Sequence, residues 1–197
     1  MAHSLATSPS SSSLVLGPAG IFGGAVLLAG FFPFDWGAGF FELRLILFTA
    51  GSMAIVLAVH RRQTGIAPAL ALFGAVPALV ANACYLGLVV LSIGTVRPFA
   101  GDSGLVFFAA GAALWVTDAA FGLVTLRLGV VARWGALAVA IGSVLVFTGM
   151  DRLGLTSSAS PTIFEPLALT GGILTAIGWL LLGFDVTTGA RASEAHP

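Results

Sequence analysis

Lysine is missing from this chain altogether, and its eight basic residues are all arginine. There is one cysteine, Cys84, so an intrachain disulfide is excluded, as is any cluster built on several thiolates. Charge of either sign is scarce, at eight arginines against eight acids in 197 residues. Charged residues therefore make up 8% of the chain, where a water-soluble domain carries about a quarter. Their sum is zero, which gives no attraction to nucleic acid. The three histidines are His3, His60 and His196, two in the tails and one at the end of an apolar run. No pair of them could hold a haem inside a membrane, and the sequence lacks Cys-x-x-Cys, His-Glu-x-x-His and a Gly-rich phosphate loop. A serine nucleophile would find no histidine or lysine at depth to act as its base. The sequence thus predicts neither an enzyme nor a bound cofactor or metal.

What the chain has instead is apolar mass. Hydrophobic residues make up 58%, and the mean hydropathy is +1.06. Such an excess has to be solvated by lipid. Apolar runs recur at about 13–32, 43–60, 68–92, 104–126, 134–150 and 166–184. Each is near the roughly 17 to 25 residues that cross a bilayer core as helix. None shows the strict alternation of a barrel strand. Because lipid offers no hydrogen bonds to the backbone, the predicted fold is an all-α integral membrane protein, a six-helix transmembrane bundle over 13–185. The polar stretches 1–12 and 186–197 are expected to be disordered tails, the first lacking the basic start of a signal peptide.

Orientation follows from the arginines. With six spans Arg61, Arg62, Arg127, Arg133 and Arg191 share a side with both termini, and Arg44, Arg97 and Arg152 take the other. That imbalance predicts cytoplasmic termini. Arginine without lysine points to a GC-rich coding sequence, and in composition the chain resembles the small Gly/Ala-rich multi-pass proteins of bacterial inner membranes. A bacterial plasma membrane is the expected location, with the lipid bilayer itself and a membrane-protein partner or a second copy of the chain as expected partners.

Several local features have a structural explanation beside a functional one. The segment Phe31–Phe41 packs six aromatics into eleven residues, as an interfacial belt does. Glu42, Asp102 and Glu165 each open an even-numbered helix, where a carboxylate meets orphan backbone N–H groups and the positive end of the helix dipole. Gly20 and Gly24, and again Gly135, Gly142 and Gly149, mark faces that let another helix approach, either within the bundle or in a dimer. Pro77 interrupts the third helix just before Asn82, Cys84 and Tyr85, where the cysteine is expected to be inert packing. Asp185, at the negative end of the sixth helix, calls for a cation, with Arg127 and Arg133 as candidates.

The stretch Leu114-Trp115-Val116-Thr117-Asp118 does not reduce to such rules, because it places a carboxyl group deep in a span. Ten Leu, Val and Phe side chains in 104–126 supply roughly −3 to −6 kcal/mol for insertion. A central Asp opposes this by about 2.5 to 3.5 kcal/mol. The helix still inserts, and Asp118 must be protonated, paired or facing water. Gly111, Trp115, Asp118, Gly122 and Thr125 share one face at spacings of three and four, a stripe suited to the bundle interior. The candidate intramembrane polar site is accordingly Asp118, Asn82, Trp115, Thr117 and Thr125. Asn82, Ser52, Ser143 and Thr175 are the candidate partners for the carboxyl group. If all helices are centred on one plane, Asn82 lies about 7 Å too far along its helix to reach Asp118. Two roles remain for the chain: a non-catalytic binding, scaffold or partner subunit, and a small-solute transporter coupled to a proton or cation through Asp118.

Overall fold

The computed structural model describes residues 11–29, 40–93, 102–150 and 164–188, and these contain six helices and no strand. They are α1 (Ser11–Ala29), α2 (Phe40–Gln63), α3 (Pro68–Ser92), α4 (Asp102–Leu128), α5 (Arg133–Met150) and α6 (Phe164–Thr188). Within α2, α3, α4 and α6 the apolar stretch is long enough to cross a membrane. The corresponding stretches of α1 and α5 are shorter, Pro18–Ala29 and Arg133–Gly149. The helical order of the predicted spans is therefore found, with bounds that move by a few residues. In particular α2 runs on to Gln63, and α6 to Thr188, so that Val186, Thr187 and Thr188 are helical rather than part of a tail. Most of the aromatic segment Phe31–Phe41, Arg97, the 151–162 connection and both chain ends lie outside the described residues.

Consecutive helices pack side by side, and α1 closes the ring by lying against both α2 and α6. Helix α2 also reaches across the interior to α4 and α6. Glycine makes this closure possible. A Cβ on Gly23 would stand 2.8 Å from the Leu47 carbonyl and 2.9 Å from Gly51 Cα, so α1 and α2 meet backbone to backbone. Gly24 faces the Ala176 carbonyl of α6 on the other flank. The glycine face of α5 serves the same purpose inside the bundle: Gly142 fits against Thr175 and Gly171, and Gly135 against Leu181 and Leu182 of α6. Gly178 of α6 returns the contact at Val139 and the Gly135 carbonyl. Lipid gives helices no hydrophobic reason to associate, so close van der Waals approach through small residues has to supply the attraction.

The interior is filled by Phe48, Ile55, Val56 and Val59 of α2, Ala75 and Ala78 of α3, Phe121 of α4, Val139 of α5 and Trp179 of α6. Outward surfaces are apolar too, as on α3, where Phe73, Val76, Val80 and Leu91 are exposed. Pro77 belongs to that outer face, and so does Cys84, which is exposed rather than packed as expected. Between α4 and α5 the chain reverses at Gly129, whose φ of 63° is a left-handed value that suits a residue without Cβ.

A contrast between two glycines tests this packing. Gly23→Val forces α1 away from α2 and should lower the midpoint of unfolding by several degrees in a detergent thermal-unfolding assay. Gly87→Ala, whose new Cβ would meet nothing within 4 Å, should leave the midpoint unchanged or slightly raised.

Candidate functional site

Asp118 projects from α4 into the interior, and its relative exposure is 0%. The predicted stripe holds: Gly111, Gly122 and Thr125 are buried on the same face of α4, and Trp115 is half-buried. Gly122 brings α4 against α5, since a Cβ there would lie 2.8 Å from the Ala136 carbonyl and 3.0 Å from the Ala140 side chain. Trp115 turns towards α2 and stacks on Phe48 with ring centroids 6.0 Å apart.

Contrary to the depth argument, Asn82 reaches Asp118 directly. Its Nδ2 donates to Asp118 Oδ1 at 3.0 Å and to the Ala78 carbonyl of its own helix at 2.9 Å. What fails is the assumption of a shared midplane. Asn82 lies fourteen residues beyond Pro68, whereas Asp118 lies ten before Leu128, so α3 and α4 are offset where the two side chains meet. The amide has no freedom to flip, because both groups facing its nitrogen are acceptors. Its oxygen faces the Ser52 hydroxyl of α2 at 2.6 Å. That hydroxyl also lies 2.9 Å from the Thr49 carbonyl, and with one proton it serves one acceptor at a time. Ser52, Asn82 and Asp118, each buried, thus form a hydrogen-bonded line across α2, α3 and α4.

The other carboxyl oxygen, Asp118 Oδ2, is buried with no hydrogen-bond partner. Ser143 Oγ, Thr175 Oγ1 and Trp179 Nε1 are buried without partners as well, so neither Ser143 nor Thr175 is bonded to Asp118 as the sequence allows. The α4–α5 contact nevertheless places Ser143 near that level. Ala136, Ala140 and Ser143 follow one another on one face of α5, and Gly122 packs against the first two. One turn further in this antiparallel pair brings α5 to Ser143 and α4 to Asp118. Trp179 stacks on Phe121 at 5.8 Å, one turn from Asp118.

Two of the predicted site residues do not join this group. The Thr117 hydroxyl donates to the Leu114 carbonyl of its own helix at 3.0 Å. Thr125 accepts from Gln63 Nε2 at 2.9 Å, two turns from Asp118. Gln63 is a residue that the sequence reading misses. It is fully buried, but a span ending at 60 leaves it in a loop. A recognisable signal exists, because Ser52, Val56, Val59 and Gln63 repeat at four, three and four, one face of a longer α2.

Next to this amide lies a second polar cluster. Arg62 approaches Asp185 Oδ2 at 3.8 Å and donates to the Val186 carbonyl at 3.0 Å. Asp185 is therefore paired with Arg62, not with Arg127 or Arg133, which are exposed. The same carboxylate oxygen accepts the Ala132 N–H at 3.2 Å, at the entry to α5, where an anion meets the positive end of the helix. The ends of α2, α4, α5 and α6 are pinned together at this point.

Removing the central amide should separate these contributions. Asn82→Ala strands the buried Asp118 carboxyl group, while the Ser52 hydroxyl keeps the Thr49 carbonyl, and a loss of about 1 to 3 kcal/mol is expected. Ser52→Ala should cost roughly 0.6 kcal/mol, the mean found for hydrogen bonds between membrane helices. Denaturant titration of both single variants and the double variant measures the coupling, and strictly additive losses would show that the three side chains do not act as one line. Comparison with protein-family models, with curated proteins and with solved structures finds no match to this chain, so the functional reading rests on its own geometry.

Proposed function

We propose that the chain is a six-span protein of a bacterial plasma membrane, with both termini cytoplasmic, that serves as a non-catalytic scaffold or binding subunit for a membrane partner. The six-span reading draws support from the ring, in which α1 and α5 lie along α6 although their apolar stretches are short. At 1.5 Å per residue the 18 residues of α5 extend about 27 Å, close to the thickness of the hydrocarbon core. The arginine imbalance supports the orientation.

One observation carries the non-catalytic reading: Asp118 is fully enclosed and engaged through Asn82 to Ser52, a line that fixes how α2, α3 and α4 sit against each other. Buried polar contacts of this type set register between helices, the best-attested use of such groups. A rigid ring with apolar outer faces suits a subunit whose work is done at its surface.

A second reading has its own observation. Asp118 Oδ2 is buried without a partner, and an ion-coupled transporter of small solutes would use such an oxygen to take up a proton or cation. Asp118→Asn separates the two. As a scaffold, the variant should keep its fold and still co-purify at fixed stoichiometry with the partner captured by the unaltered protein under gentle extraction. As a transporter, it should lose gradient-driven flux after reconstitution. A monodisperse homo-oligomer with no second protein would count against the partner role, and flux unchanged by the substitution would remove Asp118 from transport.

A further inference from the structure

From the buried polar atoms that face each other across α4 and α5 we infer that a water molecule is enclosed there, held by Asp118 Oδ2 and Ser143 Oγ, and that it carries the Ser52–Asn82–Asp118 line on to a fourth helix. Both atoms are buried without a hydrogen-bond partner. Both residues have a relative exposure of 0%, so bulk solvent does not serve them.

Backbone contacts set the two side chains at one level. A Cβ on Gly122 would stand 2.8 Å from the Ala136 carbonyl and 2.9 Å from the Ala140 nitrogen, which fixes how α4 and α5 slide along each other. Asp118 lies four residues from Gly122 and Ser143 three from Ala140, and in this antiparallel pair both steps run towards the same end of the bundle. Helical spacing gives the direction in which they point. On α4, Asp118 stands four residues before Gly122, which faces α5, and three before Phe121, which stacks on Trp179 of α6. On α5, Ser143 stands three residues after Ala140, which faces α4, and four after Val139, which packs on Gly178 of α6. Each side chain therefore lies between the contacts its helix makes with the other two, and each points into the space that α4, α5 and α6 enclose. Thr175 of α6, whose hydroxyl is also without a partner, lies against Gly142, the residue before Ser143.

A hydroxyl in a helix ordinarily returns its proton to a carbonyl of the preceding turn. Thr49, Thr148 and Thr187 do so here, and Ser143 does not. Water suits what is left, because a buried water bonds to about three polar groups that lack partners. It also both donates and accepts. Asp118 Oδ2 accepts from it as a carboxylate or donates to it as an acid, and the Ser143 hydroxyl does either. A divalent cation would call for about six oxygens, and among the described residues no group of three His, Cys, Asp or Glu could hold a metal. Small residues alone join α4 to α5 at Gly122, so the water adds a directional contact to that pair.

The water site rests on the reading of Asp118 as a group that sets helix register, and is independent of any partner or transport. Thermal unfolding of the full chain in neutral detergent tests it by the sign of one substitution. If the Ser143 hydroxyl bonds to nothing, Ser143→Ala removes an unpaired buried polar group, and the midpoint stays or rises. With the water in place, Ser143→Ala should lower the midpoint by several degrees, and the same substitution in an Asp118→Ala background should have little further effect. Infrared spectra should show an O–H stretching band that shifts in oxygen-18 water and is missing from Ser143→Ala. An unchanged or higher midpoint for Ser143→Ala, an undiminished loss in the Asp118→Ala background, or the same isotope-sensitive band in both proteins would each overturn the site. The first and third of these do not require that Asp118→Ala folds. A midpoint raised by sodium chloride but not by choline chloride at equal ionic strength, and no longer raised in Ser143→Ala, would replace the water by a bound cation. Asn82→Ala reports on the line through α3 alone, so failure of the water site and failure of the register reading are told apart.

Discussion

Close approach of helix backbones at glycine is the constraint on which the rest of this structure depends. In lipid, a leucine on a helix surface is as well solvated by acyl chains as by a neighbouring helix, so burial of apolar surface does not select a bundle. Contact at short range does. Gly23 against Gly51 locks α1 to α2, and Gly142 against Gly171 locks α5 to α6. Gly24 and Gly178 complete the lines on either side of α6. With these contacts the ring closes, and the larger side chains, Phe48, Phe121 and Trp179, fill the middle that the ring encloses. A single β-carbon at Gly23 or Gly171 would meet backbone atoms, which have no rotamer to retreat into.

The polar line from Ser52 to Asp118 is a consequence of that packing and also a load on it. Placing a carboxyl group at mid-span costs about 2.5 to 3.5 kcal/mol. Hydrogen bonds between membrane helices return about 0.6 kcal/mol each on average, and at most roughly 1.7. One bond from Asn82 does not offset the cost, so stability alone does not account for Asp118. What the bond does provide is selection. Helix α3 must present Asn82 and α2 must present Ser52 at one level, and a one-residue slip of either helix turns its side chain away by 100° and strands a buried acid. Selection of register follows from this; a stabilising role does not.

Much of this was legible in the sequence, and the parts that were not have physical reasons. The six helices followed from apolar run length, and the inward stripe of α4 from the spacing of Gly111, Trp115, Asp118, Gly122 and Thr125. The glycine spacing of α5 marked a close contact, but its partner is set by the ring order, which only the three-dimensional structure shows. Asn82 was recognised as a candidate and then set too far from Asp118, because run lengths say where a span is centred and nothing about how far neighbours slide along each other. Gln63 and the Arg62–Asp185 pair were missed for a common reason. Apolarity ends α2 near His60, yet the helix continues, and polar residues past that point are carried inward by helical periodicity rather than by hydropathy.

Helical rotation also explains why two adjacent arginines have different fates. Each step along α2 turns a side chain by 100°. Arg62 and Gln63, on the bundle side, reach Asp185 and Thr125, while Arg61 is turned outward. Inner and outer positions then do different work. Arg62 pairs with Asp185, the one acid at this end among the described residues, and donates to the Val186 carbonyl in the last turn of α6. With Asp185 engaged, the outward arginines have no acid partner among the described residues. The polar contacts of the bundle therefore occur at two levels, the Ser52–Asn82–Asp118 line and the Gln63–Thr125 and Arg62–Asp185 cluster. Between those levels α2 and α4 are separated by apolar side chains such as Val56, Val59 and Phe121. Two fixed levels along one pair of helices restrain both sliding and tilting, where a single level would leave the pair free to pivot about it.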